Sequence, residues 1–173
     1  MLKYNFGCGS NPIKDYINVD VFPHKGVDVV MDIRGDLGTL AANSASEVLL
    51  FHTIEHIEKE HYRQVFYNIN ELLIEGGSFY LSFPDFFVSV SFYEDNKRGS
   101  REFWEKTIFG RGTQPYDFHR SIATREEIEN FLVEAGFKIN SVDFEDPPNE
   151  CNCIIKAVKI RNAVSYEDTL KGI

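Results

Sequence analysis

Gly7, Gly9 and Asp20 are the residues whose types and spacing point most directly to chemistry. The run from Tyr4 to Asp20, YNFGCGSNPIKDYINVD, joins a buried strand, a glycine turn and a second strand ending in a carboxylate. Glycines let the backbone turn sharply and approach a ligand where a side chain would collide. A carboxylate beside such a turn, at the ends of two parallel strands, suits a nucleotide-like ligand because it can accept both hydroxyls of a ribose. A dinucleotide fingerprint would read G-x-G-x-x-G and open a long helix toward the pyrophosphate. Here the third position is Pro12, and only Ser10 to Tyr16 separate turn from strand. The spacing therefore predicts a ligand with a ribose and no phosphate. It leaves room for a single helical turn, capped by Ser10 or Asn11 with Pro12 near its start.

A second candidate is His52-Thr53-Ile54-Glu55-His56, which matches H-x-x-E-H, a pattern in which two histidines one helical turn apart hold zinc and the glutamate activates water. That chemistry needs both histidines on one helix. His52 instead ends an apolar strand, so the spacing of four loses its meaning and no metal is expected. Glu55 and His56 read either as site residues or as the cap and packing of a following helix. A third candidate runs from Lys97 to Arg125, where seven basic residues (Lys97, Arg98, Arg101, Lys106, Arg111, Arg120, Arg125) outnumber three acids. Phe103, Trp104, Phe109, Tyr116, Phe118 and His119 are interleaved with them. Arginines pair with anions and aromatic rings stack on flat bodies, so this stretch suits a phosphate- or carboxylate-bearing acceptor with a ring or sugar frame. The plain alternative is a solvated lid whose aromatics pack on the sheet.

Elements that must position these residues follow from periodicity. Leu2 to Phe6 is apolar on both faces, as in an inner parallel strand. Ile17 to Asp20, Val27 to Met31, Glu47 to His52 and Ser78 to Phe83 read as further strands. From about Lys59, apolar residues recur at three and four (Tyr62, Val65, Phe66, Ile69, Leu72, Leu73), predicting a helix ended by Gly76 or Gly77 as a left-handed cap. Residues 85–121 show no clear period and are too long for a plain connection, which predicts an insertion or lid. Thr124 and Glu127 form a capping box for a helix that buries Ile128, Phe131, Leu132 and Ala135 and ends at Gly136. Phe137 to Phe144 and Cys151 to Ile160 read as a closing hairpin around Pro147-Pro148. One domain over residues 1–160, with a polar tail over 161–173, accounts for the whole chain.

Taken together, these residues resemble the class I S-adenosylmethionine-dependent methyltransferases, in their small type-11-like branch. The resemblance spans Leu2 to about Val158. It rests on Gly7-Cys8-Gly9, Asn18-Val19-Asp20, Val29-Val30-Met31-Asp32, His52-Thr53-Ile54-Glu55-His56, Glu75-Gly76-Gly77, Phe83-Pro84-Asp85 and Glu134-Ala135-Gly136-Phe137. Ser44 to Ser46 departs from the family, which tends to carry an aromatic and an aspartate there. The resemblance implies a Rossmann-like, doubly wound α/β fold: seven strands in the order 3-2-1-4-5-7-6, the last antiparallel, with helices on both faces. It implies S-adenosylmethionine as cofactor, held by Gly7, Cys8, Gly9, Asp20, Val21, Asp32, Ile33, Phe51 and His52, with Asp32 or its neighbouring backbone at the adenine. Catalytic residues are expected among His119, His52 and Asp85. His119 lies where the family commonly carries a histidine before its last long helix, and it reads as a base facing the acceptor or as a cap of that helix.

Composition narrows the partners. The net charge of −9 over 173 residues opposes general attraction to nucleic acid or an acidic membrane, both of which reward clustered Lys and Arg. No apolar run approaches ~18 residues and no basic-then-apolar leader opens the chain, which predicts a soluble cytoplasmic protein. Cys8, Cys151 and Cys153 read as buried free thiols, not a disulfide or zinc set. The expected partner is thus a small-molecule acceptor. Rival readings are a non-catalytic S-adenosylmethionine-binding module, the H-x-x-E-H metal-dependent hydrolase, and a nicotinamide oxidoreductase, which Pro12 and the short crossover disfavour.

Overall fold

Continuous apolar strands need cover on both faces, and the chain provides it by assembling seven strands into one sheet. The computed structural model describes residues 1–95, 99–114, 116–145 and 151–163. The expectations on Lys97, Arg98, the Pro147-Pro148 turn and the tail beyond Ala163 lie outside them. The strands are β1 (Leu2–Phe6), β2 (Ile17–Asp20), β3 (Val29–Val30), β4 (Ala45–Phe51), β5 (Leu73–Pro84), β6 (Phe137–Phe144) and β7 (Asn152–Lys159). Their spatial order is β3-β2-β1-β4-β5-β7-β6, as expected. Strands β1 to β5 pair in parallel, and β7 runs antiparallel to both β5 and β6. All parallel strands therefore end at one edge, where their following loops converge.

Among the described residues four α-helices flank the sheet: α1 (Tyr62–Leu72), α2 (Phe86–Asp95), α3 (Arg101–Phe109) and α4 (Arg125–Glu134). The periodic residues of α1 are all buried, and Phe66 packs its ring against Phe79 of β5. Thr124 caps α4 by accepting the Glu127 amide, and its hydroxyl donates to the Glu127 carboxylate, so the N-cap forms as expected while the glutamate returns to the threonine hydroxyl and not to its backbone amide. The stretch read as lacking a period folds α2 and α3, with the Ser100 hydroxyl capping α3. No helix among the described residues is long and apolar enough to cross a membrane.

Three local expectations are corrected. Helix α1 ends at Leu72, and Leu73 already has extended backbone, so neither glycine caps it. Gly76 (φ +76°) and Gly77 instead lie in a bulge of β5, where the partner of β4 jumps from Leu73 to Ser78. Strand β3 is only two residues long, because the Val27 amide turns back to His24 O to close the preceding loop. Ser10 to Tyr16 forms turns without a helical turn.

One buried cation ties the far end of the sheet to α1. Lys159 is 2% exposed, and its Nζ donates to Asn43 Oδ1 (3.0 Å), Asn70 O (2.8 Å) and Leu73 O (2.8 Å). Burial holds its pKa below that of a free lysine. Methionine would fill much of the same volume and leave two buried carbonyls without a donor, each costing about 1–3 kcal/mol. Lys159→Met should therefore lower unfolding free energy by about 2–4 kcal/mol in a denaturant titration. An unchanged midpoint and slope would show that these bonds contribute nothing net.

Candidate functional site

The site is built where the parallel strands end. Gly7 leaves β1 at φ +67° with its amide on Val19 O (2.8 Å). A Cβ there would lie 2.1 Å from the Thr53 hydroxyl, so only glycine lets the turn pass under the segment after β4. Gly9 (φ +51°) has a different reason: nothing lies within 4 Å of its virtual Cβ. Its amide donates to Asp20 Oδ2 (2.8 Å), and the Phe22 amide donates to Oδ1 (2.9 Å). The buried Asp20 carboxylate thus braces the turn on one side and its own loop on the other. Each carboxylate oxygen has two lone-pair sites, so acceptor capacity remains for a ligand hydroxyl.

Asn18 holds the seven residues between turn and strand. Its Oδ1 accepts from the Ile13 amide (2.8 Å) and from Asn5 Nδ2 (3.0 Å), while its Nδ2 donates to Ile13 O and Tyr16 O (both 3.1 Å). The loop after β3 is fixed from the other side, since Asn68 of α1 donates to Ile33 O (2.7 Å) and Gly35 O (2.9 Å). Neither asparagine was singled out as a positioning residue in the sequence, although Asn18 stands inside the Asn-Val-Asp run.

All nine residues expected to hold the cofactor line a single open crevice along this edge: Gly7, Cys8, Gly9, Asp20, Val21, Asp32, Ile33, Phe51 and His52. Their contributions differ. Burial raises the Cys8 thiol pKa, which leaves it protonated. The Asp32 carboxylate is held by the Arg34 guanidinium at 2.7 Å, which lowers its pKa. Arg34 also reaches Glu58 (2.8 Å), which pairs with Arg120 (2.9 Å), a chain of charges running along the rim to the lid.

Of the catalytic candidates, His119 and His52 line the crevice and Asp85 does not. Asp85 is a correction. Its Oδ1 accepts from the Val88 amide (3.0 Å) and its Oδ2 from the Arg125 amide (2.7 Å), so it caps the starts of α2 and α4. His52 sits just past β4 at φ +48°, an uncommon conformation for a side chain-bearing residue, with Nδ1 3.5 Å from Glu55 Oε1. That contact raises its pKa. His52 and His56 leave from different elements, since residues Ile54–His56 form a separate short 3-10 turn. The helical pair required by H-x-x-E-H is therefore not formed.

His119 reaches the crevice through the lid. Gly110 (φ +87°) lets the chain after α3 fold back so closely that a Cβ would lie 1.9 Å from Asp117 O. The His119 amide then donates to Phe109 O (3.0 Å), and the Arg120 amide to Glu55 O (2.8 Å). Burial lowers the His119 pKa, which favours the neutral ring.

An open crevice at the glycine-turn edge of a sheet ordered 3-2-1-4-5-7-6, with its last strand antiparallel, decides the fold family. The chain has the methyltransferase fold. A Methanosarcina mazei S-adenosylmethionine-dependent methyltransferase superposes with a TM-score of 0.61 at 14% identity, over 91% of this chain and 92% of the other. A Thermotoga maritima S-adenosylmethionine-dependent methyltransferase, described as a possible histamine N-methyltransferase, gives 0.60 at 19% identity over 91% and 81%. The Burkholderia thailandensis 1,6-didemethyltoxoflavin-N1-methyltransferase, with its substrate and S-adenosylhomocysteine bound, gives 0.61 at 13% over 92% and 71%. No family model and no curated protein matches the sequence.

Substitutions at Asp20 and Asp85 test whether the first serves a ligand and the second the fold. Asp20→Ala should weaken S-adenosylhomocysteine binding about 10- to 150-fold by calorimetry, the equivalent of charged hydrogen bonds of ~1.5–3 kcal/mol. Asp85→Ala should leave that affinity within a few-fold and lower stability by about 1–3 kcal/mol, since two helix starts lose a cap. The opposite pattern would exchange the roles assigned to the two acids.

Proposed function

We propose that the protein transfers a methyl group from S-adenosylmethionine to a small acceptor that is anionic, sugar-like or both. The observation that carries this reading is the space in front of Gly9, which a Cβ would enter without touching protein, beside the buried Asp20 carboxylate. In the fold described, that space fits a ribose and its neighbouring chain. Gly7, Gly9 and Asp20 would hold the cofactor, with the backbone beside Asp32 at its base. When bound, S-adenosylmethionine supplies an electrophilic methyl on a sulfonium.

The chain's own contribution is alignment. In-line displacement rewards holding the acceptor atom on the far side of the methyl, and good orientation is worth on the order of 7–11 kcal/mol. Acceptor-side walls come from the segment after β4 and from the lid. The Phe22 and Tyr116 rings meet there with centroids 4.6 Å apart, tilted by 41°, and Phe103 is also exposed to the crevice, so aromatic surface is offered to an acceptor. Most of the lid's positive charge is already engaged: Lys106 pairs with Glu102, Arg120 with Glu58 and Arg125 with Glu129, and Arg101 lies over the Tyr93 ring. Arg111 lines the crevice outside these contacts and is the guanidinium best placed for an acceptor anion. A hydroxyl acceptor also has a proton to lose, and His52 and His119 stand on that wall. The small nitrogen-containing substrate of the Burkholderia neighbour is compatible with an acceptor of this size.

Thermal denaturation with S-adenosylmethionine, S-adenosylhomocysteine and NAD added separately tests the cofactor. The first two should raise the midpoint, by the equivalent of about 2.7 kcal/mol at a hundredfold excess over the dissociation constant. Stabilisation by NAD alone would reverse the assignment. Arg111→Gln should raise the half-saturation concentration for an anionic acceptor and leave S-adenosylhomocysteine affinity within a few-fold. A change in cofactor affinity without one in acceptor use would mean that the lid faces the wrong ligand.

A further inference from the structure

The buried wall of the crevice holds a group that methyl transfer by alignment leaves unexplained. Glu55 is 3% exposed, and its Oε2 has no hydrogen-bond partner. Orphaned carboxylate oxygens of this kind are rare in folded proteins and call for a specific partner. Beside it stand His56 and His119, whose ring centroids are 5.0 Å apart at 80°. One ligand atom from each of the three residues lies within 4.8 Å of the other two. Donors bound about 2.1 Å from a common ion sit roughly 3–4 Å apart, so a small closure would bring these three onto one centre.

The histidines are also oriented as metal ligands are. Nδ1 of His56 lies 3.1 Å from Phe118 O, and Nδ1 of His119 lies 3.1 Å from Ile108 O. A carbonyl only accepts, so Nδ1 carries a proton in each ring, and the neutral tautomer this selects keeps its lone pair on Nε2. Metal-bound histidines are held in this way, with the second ring nitrogen donating to a carbonyl or carboxylate that fixes tautomer and direction. The other oxygen of Glu55, Oε1, lies toward His52 Nδ1, which leaves Oε2 for the site. We propose that Glu55, His56 and His119 form a three-ligand site for a divalent first-row transition ion such as Zn²⁺ or Mn²⁺, its open positions turned to the crevice. Two imidazoles and one carboxylate suit borderline ions of this class. All three residues line the same crevice as Gly9 and Asp20, so an open position is available to an oxygen of the acceptor. This use of the ion rests on the methyltransferase reading, and in it His119 acts as a ligand and not as a base.

The set shares Glu55 and His56 with the H-x-x-E-H run but takes its second histidine from the lid. That difference supplies the test. Tag-free protein, stripped with a chelator and then titrated separately with Zn²⁺ and Mn²⁺, should bind one equivalent of at least one ion by calorimetry and elemental analysis. Co²⁺ loading should add visible absorption bands from nitrogen ligation. His119→Gln and Glu55→Gln should each weaken the ion by more than the ~10- to 100-fold that supporting residues cost. His52→Ala should change affinity only a few-fold. Circular dichroism of each variant confirms folding, and His61→Ala, at a partly exposed histidine outside the cluster, serves as the background control. Absence of stoichiometric binding in the folded wild type would overturn the proposal, as would binding lost in His52→Ala and kept in His119→Gln. Calorimetry of S-adenosylhomocysteine on the stripped protein keeps the two readings apart. Cofactor binding without metal binding rejects the ion and retains the methyltransferase, whereas metal binding without cofactor binding rejects only the cofactor.

Discussion

The bond from the Gly9 amide to the Asp20 carboxylate is the constraint on which the crevice depends. A buried carboxylate must find donors, and Asp20 finds two in backbone amides on either side of the β1–β2 edge. To present its amide there, Gly9 adopts positive φ, and Gly7 does the same to clear Thr53. The seven residues that follow cannot then wind into a helix aimed at a phosphate, because their amides and carbonyls are drawn onto Asn18. A ligand that offers hydroxyls to a carboxylate is favoured over one that offers phosphates to a helix end.

The opposite wall depends on a second backbone anchor, Glu55 O, which accepts from the amides of Arg120 and Ser121. Through it the lid is fastened to the segment after β4, and the Gly110 fold-back holds His119 in place between them. The rim charges Asp32, Arg34, Glu58 and Arg120 follow the same route. Partly exposed pairs of this kind contribute little stability each, commonly under ~1 kcal/mol. Their value lies in register: they link the loop after β3 to the lid across the mouth of the site.

Much of this was legible in the sequence, and the failures have physical causes. Strand positions, the Thr124 cap and the glycine turn were readable because each depends on local pattern or on a residue type that only one conformation explains, whereas the strand order was implied by the family resemblance alone. Gly76 and Gly77 misled because a positive-φ glycine serves a bulge as well as a helix cap, and only pairing with β4 distinguishes the two. Asp85 looked available because it follows a strand end facing the crevice, yet its oxygens turn to the amides of Val88 and Arg125, 3 and 40 residues on. Long-range acceptors of that sort leave no trace in spacing. Asn68 and Lys159 were missed for the same reason, since buried polar residues look like surface ones until their partners are known.

The histidine run shows the limit most clearly. Spacing of four carries meaning only on a helix, and His52 lies at a strand end with left-handed backbone, so the motif as written does not assemble. Its letters are nevertheless not idle. Once β4 stops, the short turn at Ile54–His56 buries Glu55 and sends His56 toward the lid, where Phe118 O and Ile108 O orient two imidazoles against one unpartnered carboxylate oxygen. The decisive residue, His119, stands far along the chain, and its position is set by Gly110 and Glu55 O, which no local pattern names. A site of this kind is a property of the fold: β4 delivers half of it, the lid delivers the other half, and the buried carboxylate between them is what an ion would satisfy.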